Sequence, residues 1–412
     1  MSPRTPALDA LQGVRVIELG QLIAGPFAGK TLADFGADVI KVEPVEGGDP
    51  LRTWRLLREG TSVWWEVQSR NKRSVALDLR TPEGQEAVRA LVTQADVLIE
   101  NFKPGTLEAW GLGWEVLHAL NPGLVMLRIS GFGQTGPYRG KPGFGVLGEA
   151  MGGLRHLTGE PGRVPVRVGV SIGDTLAALH GVIGVLLALR HREVNGGFGQ
   201  VVDVALYESV FNVMESLLPE YDAFGAVRGA AGSALPGIAP SNAYRCAGDA
   251  WVLVAGNGDS IFKRLMKAIG RADLADDPAL ARNDGRVGRV SEIDTAIGEW
   301  TAERAIEEVI GTLEAAGVPV GRIYTVADIA RDPQYLAREM IVQTQDAQGR
   351  PLKVPGIVPK LSATPGRLRT PAPRLGEHTR SVLGALGALD ALGKPTQPGN
   401  PPAAEDLSAS GG

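Results

Sequence analysis

Short apolar runs alternate with helical stretches through the first third of this 412-residue chain, and few folds accommodate that alternation. Val14-Arg15-Val16-Ile17-Glu18-Leu19 reads as a strand, Ala28 to Phe35 has helical spacing, and Ala37 to Val42 is a second strand. Ser74 to Leu79 is a third strand. Thr81-Pro82-Glu83 then starts a helix, with Thr as N-cap and Pro at the first helical position. Strands at 96–100 and 124–130 follow, separated by a helix near Trp114 to Leu120. This order predicts right-handed βαβ units, and hence an α/β chain with a mostly parallel, doubly wound sheet.

Gly131 to Gly145 is rich in Gly and Pro and reads as a loop. A long helix is expected from about Thr175 to Arg192, then a strand at 201–204 and a helix at 208–218. Composition changes near Tyr221, and 225–240 is a Gly/Ala/Pro-rich loop. The expected organisation is a large domain over 1–224, a smaller α+β domain over 225–325, and a return segment over 326–392 that completes the large domain. A Gly/Pro/Ala/Ser-rich tail over 393–412 is expected to be disordered.

Composition narrows the class of function. A formal charge of -4, with both signs mixed along the chain, gives no nucleic-acid or membrane footprint. An anionic ligand must therefore be held by local Arg, Lys or backbone N–H groups. The single cysteine, Cys246, permits no internal disulfide and no paired-cysteine zinc site, and reads as an inert buried thiol. The first residues lack a secretory apolar region, and the most apolar run, Gly181 to Leu189, falls short of the roughly 20 residues of a membrane span. A cytoplasmic protein is expected, with no metal and no permanently bound cofactor.

Four places can carry chemistry. The turn Ala24-Gly25-Pro26-Phe27-Ala28-Gly29 lies between a strand and its helix, but its spacing is not GxGxxG. It reads equally as a tight βα turn or as a ligand turn. The basic run Ser69 to Ser74, with Arg80 beyond the strand, is either a phosphate grip or a solvated loop. Glu100-Asn101-Phe102-Lys103-Pro104-Gly105 follows a strand, at the sheet edge where open α/β folds bind ligands. Asp174, after Gly169-Val170-Ser171-Ile172-Gly173, sits where an N-cap belongs. It is either a cap or a carboxylate kept ionised by the helix terminus and available as a nucleophile. The five histidines are scattered without metal spacing, and no serine lies in GxSxG.

Taken in order, Leu11 to Val16, Ala24-Gly25-Pro26, Gly36 to Glu43, Asn71-Lys72-Arg73-Ser74, Thr81 to Gly84, Glu100 to Gly105, Gly173-Asp174 and Gly376-Glu377-His378-Thr379 resemble the class III CoA-transferases over residues 10 to 385. The resemblance implies an interlocked homodimer, with a Rossmann-like large domain built from both chain ends and a small domain between them. It implies coenzyme A or acyl-CoA as substrate, held at Ile23 and Ala24, at Leu77 to Arg80, and at Asn101, Phe102 and Lys103. Position 44 is Pro where relatives often carry an adenosine-side arginine. The family's nucleophile maps onto Asp174. The implied chemistry runs through a mixed anhydride and an aspartyl-CoA thioester, passing CoA from an acyl-CoA to a carboxylic acid.

Departures separate the subfamilies. Racemase relatives place a His-Asp pair where this chain has Phe144-Gly145, so an acyl-CoA racemase or isomerase is the disfavoured alternative. Formyl/oxalate-type transferases carry a glutamate at position 145 and a glycine run in the small-domain loop, and this chain has Gly145 and the mixed segment 228–237. The pattern Gly143 to Arg155 looks like relatives that move CoA between C4–C5 dicarboxylates, with succinyl-CoA as donor. The substrate-side candidates are then Gly145, Glu149 and Arg228, with Arg155 and Arg167 as further groups able to hold a distal carboxylate.

Overall fold

The computed structural model describes residues 9–387; the tail expected over 393–412 and the first residues lie outside them. In chain order the first elements are β1 (Arg15–Glu18), α1 (Ala24–Asp34), β2 (Asp38–Glu43), the short hairpin β3 (Leu57–Arg58) and β4 (Thr61–Ser62), α2 (Val63–Gln68) and β5 (Lys72–Ala76). Then come α3 (Pro82–Val92), β6 (Val97–Glu100), α4 (Thr106–Ala109), α5 (Trp114–Leu120) and β7 (Val125–Ser130). They are followed by α6 (Gly145–Met151), α7 (Leu154–Leu157), α8 (Ile172–Val194) and β8 (Val201–Ala205).

Two compact units form. The first takes residues up to Phe144, Asp174–Leu206 and Gln343 onward. Its sheet runs β5-β2-β1-β6-β7-β8, and every pairing is parallel. Strand side chains alternate between two faces. Val16, Val39, Val97 and Leu127 join α1 and α8 in one core, while Ile17, Ile40, Leu98 and Met126 join α3 and α5 in the other. Each fully buried Ile or Leu contributes about 1.5–3 kcal/mol, so two-sided burial explains why these strands read as near-continuous apolar runs. Thr81 Oγ accepts the Gly84 N–H and Pro82 opens α3, as its sequence predicts. Strand order reverses between β1 and β6, so the crevice beyond their C-terminal ends is the switch point of the sheet.

The second unit comprises Gly145–Gly173 and Tyr207–Val342. Its three-stranded antiparallel sheet has the order β11-β10-β9, from β9 (Ser241–Arg245), β10 (Trp251–Ala255) and β11 (Val320–Arg322). Helices over Asp259–Ala268, Val290–Ala302 and Ile306–Ala315 supply the rest of its core. Its bounds differ from the expected 225–325. Residues 145–173 join it because Gly152 and Gly173 pack against Val210 and Gly232 N–H donates to Gly159 O (2.9 Å). The helix expected over 208–218 is two, α9 (Leu206–Phe211) and α10 (Leu217–Phe224), with Glu215 between them at φ 51°.

The apolar run 181–189 lies inside the longer α8, whose 23 residues, with a mean hydropathy of 1.8 over 18 of them, are long and apolar enough to cross a membrane by those measures. One face of α8 (Ala177, Ala178, Val182, Val185, Ala188 and Leu189) is buried in the sheet core.

Candidate active site

Three loops named from the sequence leave the C-terminal ends of β1, β5 and β6, on one edge of the parallel sheet. The first is the turn between β1 and α1. Leu22 adopts a left-handed backbone there (φ 64°), which bulky residues rarely do and which persists only where the surroundings enforce it. Ile23 and Ala24 are buried, the Ala24 methyl group within the core of α1 and α8, so both offer a ligand backbone rather than side chain.

Asn101, just beyond β6, bridges the switch point. Its Oδ1 accepts the Gln21 N–H (2.7 Å) and its Nδ2 donates to Gln21 O (2.9 Å). The side chain is thus an internal brace between the two loops. Phe102 packs edge-on against Trp110, with ring centroids 5.3 Å apart, and its N–H donates to Glu100 Oε2 (2.8 Å). Lys103 is exposed. Burial pushes the Glu100 carboxyl up to about 7, although Arg128 Nε donates to it at 2.7 Å.

Beyond β5, Leu77 points into the core and its N–H donates to Glu43 O (2.9 Å). Arg80 is exposed and grips Asp78 with two donors at 2.9 Å, and these bonds hold the Asp78 carboxyl below its ordinary value.

Asp174 is half-buried in the first turn of α8. It is not a cap, because the helix begins at Ile172, two residues earlier. Carboxylates in a first helical turn are stabilised by the unpaired N–H groups and the macrodipole. Gly173, the preceding residue, has no room for a side chain: a Cβ there would lie 3.0 Å from Gly145 O and 3.5 Å from Glu149 Cγ.

In the second unit Gly145 is the buried first residue of α6. Glu149 is fully buried, its Oε2 accepts from Arg155 Nε (3.2 Å), and its Oε1 lies 3.7 Å from Arg167 Nη2 without a hydrogen bond. Arg167 also donates to Ser171 Oγ (3.4 Å). Arg228 is held within its own unit, donating to Glu215 (3.0 Å), Glu220 (2.6 Å) and Ser216 Oγ (2.9 Å). Any substrate contact by Arg228 must therefore compete with two carboxylates.

Two of the histidines have local contacts. His180 Nδ1 meets Leu176 O within α8 at 2.9 Å, and His118 stacks on Trp114. Cys246 is buried, which raises its thiol pKa. Among the described residues no group of three or more His, Cys, Asp or Glu is placed to hold a metal. The sequence reading did not single out Lys41, Asp49 and Gln68, which lie behind the first turn. A charged residue in the middle of the apolar strand Asp38–Glu43 was the available signal.

A family model described as CoA-transferase family III matches residues 11–379. The chain is 50% identical over 380 residues to the succinyl-CoA–D-citramalate CoA-transferase of Chloroflexus aurantiacus, which covers 92% of this chain and 94% of that one. It is 43% identical over 378 residues to the beta subunit of succinyl-CoA–L-malate CoA-transferase from the same organism, covering 90% and 93%. Among solved structures, a CAIB/BAIF family protein from Brucella suis matches with a TM-score of 0.80 at 38% identity, covering 92% of this chain and 100% of that one.

Proposed function

The chain belongs to CoA-transferase family III and is a CoA-transferase, and from that premise we propose that it moves CoA from succinyl-CoA to a second C4–C5 dicarboxylate through Asp174. The observation that carries the substrate reading is the 50% identity, over almost the whole chain, to a transferase named for succinyl-CoA and D-citramalate.

In the proposed mechanism an Asp174 oxygen attacks the thioester carbonyl. A C–O bond forms, the C–S bond breaks, and CoA leaves as the thiolate. The thiolate then attacks the Asp174 carboxyl carbon, and succinate departs as the anhydride C–O bond breaks. The acceptor carboxylate repeats the two steps in reverse. The first step climbs from a thioester to the more reactive anhydride and the second returns to a thioester, so the pair of steps exchanges bonds of similar energy and a carboxylate nucleophile suffices. The first turn of α8 supports this role by favouring the ionised form of Asp174. CoA is proposed to lie against the turn at Ile23 and Ala24 and the loops at 77–80 and 101–103. Gly145, Glu149 and Arg228 are the proposed substrate-side residues, with Arg155 and Arg167 as further groups.

The protein is also proposed to act as a homodimer. Supporting this, α8 exposes Leu179, Ile183, Leu186, Leu187 and Val194, spaced to form one apolar stripe.

The test is to incubate the protein with succinyl-CoA and a panel of mono- and dicarboxylic acids, including oxalate and formate, and to identify new CoA esters by mass spectrometry. Citramalate or malate esters are expected. Esters of oxalate or monocarboxylates alone would overturn the substrate reading. Asp174→Ala should lower turnover roughly 1,000-fold or more while CoA still binds. Borohydride or hydroxylamine should tag residue 174 of the acylated wild-type enzyme. Full activity in the variant refutes the nucleophile.

A further inference from the structure

The turn that carries Ile23 and Ala24 is held from behind by a buried set of charges. Lys41, fully buried in β2, donates through Nζ to Gly20 O and lies 2.9 Å from Asp49 Oδ2 and 3.5 Å from Glu18 Oε1. Lys72, buried at the start of β5, lies 2.8 Å from Glu18 Oε2 and donates to Pro26 O at 2.8 Å. Asp49 accepts the Leu22 N–H through both oxygens, at 3.1 and 3.3 Å. Gln68 Nε2 donates to Ile23 O at 3.1 Å, and Asn101 takes both polar groups of Gln21.

Side chains from five different elements and loops thus fix the backbone at residues 20, 21, 22, 23 and 26. Two of them are ammonium groups on either side of one carboxylate. Such buried ions are costly to desolvate, and hydrophobic replacements of similar volume often fold as well or better. Fold stability alone does not account for their use here. They reach only backbone of the turn, and they reach it where Leu22 is forced into a left-handed conformation.

We propose that Lys41, Asp49, Gln68 and Lys72 are positioning residues that preset the turn at 20–26 to receive CoA, so that its backbone needs no rearrangement on binding. The inference rests on the reading that this turn seats CoA. Preorganisation of this kind raises affinity by removing the ordering cost from the binding step. It acts on binding and leaves the acyl-transfer steps at Asp174 unaltered.

The closing experiment pairs kinetics with hydrogen exchange. Asp49→Ala and Gln68→Leu each remove one clamp. Each is expected to raise KM for succinyl-CoA about tenfold with kcat within about twofold of wild type. Equal falls in kcat and kcat/KM, or no change in KM, overturn the proposal. Should a variant fail to fold, amide exchange of the wild-type protein with and without CoA decides. Slow exchange at residues 21–25 in the free protein, slowed further by CoA, supports a preset turn. Fast exchange that becomes slow only with CoA overturns it while leaving the CoA seat in place. Protection by CoA elsewhere, with these amides unaffected, removes the seat and the inference with it.

Discussion

Glu66 folds with its carboxyl buried in α2 and one oxygen without a hydrogen-bond partner. Burial raises its pKa from 4.5 to about 7, against the pull of Arg52 and Arg350. The folded state therefore binds this proton more tightly than the unfolded state, and the group's contribution to stability falls as pH rises from about 4.5 to about 7. Glu66→Gln removes that dependence. Relative to wild type, the variant is expected to gain about 1–3 kcal/mol on going from pH 5 to pH 8, read from urea midpoints. A constant difference between variant and wild type across that range contradicts the assignment. At this scale the sequence was partly legible. Asp174 was expected at the N-cap but is the third residue of α8, so the helix start was misjudged by three residues. Gly173 discourages a helix in isolation, and its close approach to Gly145 O is a tertiary contact that local pattern cannot report. Asn101 was placed correctly just beyond a strand, whereas its use as a brace on Gln21 depends on a partner 80 residues away.

Element by element, the parallel strands were readable because two-sided burial leaves long apolar runs, α3 because its Thr81 cap is local, and α5 because its spacing is. The short antiparallel strands β9 and β11 were missed. Ser241–Arg245 carries one buried residue and Val320–Arg322 none, so neither has a strand's apolar signature, and their pairing with β10 supplies the structure. No helix was expected over α6, two of whose seven residues are glycines. The close packing of α1 on β1 gives a direct test. A Cβ at Gly29 would overlap Glu18 Oε2 and come within 2.9 Å of Glu18 Cδ, and Glu18 is pinned by Lys72. Gly29→Ala is expected to cost about 1–3 kcal/mol by overpacking, seen as an earlier urea midpoint, although alanine normally favours a helix. A more stable Gly29→Ala protein would show that α1 shifts freely on the sheet.

For the molecule as a whole, composition located a change of character near Tyr221 but not the assignment of 145–173, which packing alone decides. The dimer proposal predicts a solution mass of twice the 43.3 kDa chain, measurable by light scattering. Ile183→Glu together with Leu187→Glu, on the exposed stripe of α8, is expected to lower the dimer fraction. A wild-type protein that scatters as 43.3 kDa ends that reading. One further feature concerns how the molecule is made. The outer strand β5 is covered by the far end of the chain: Asn71 N–H donates to Thr370 O, His378 N–H donates to Ser74 O, Thr379 Oγ accepts from Ala76 N–H, and Val382 and Leu383 enter the core beside it. A ribosome finishes the N-terminal strands long before it delivers those residues. Until residues 370–383 emerge, each nascent polypeptide carries a bare β-edge, and translation arrested before residue 370 should yield a sticky product that chaperones hold.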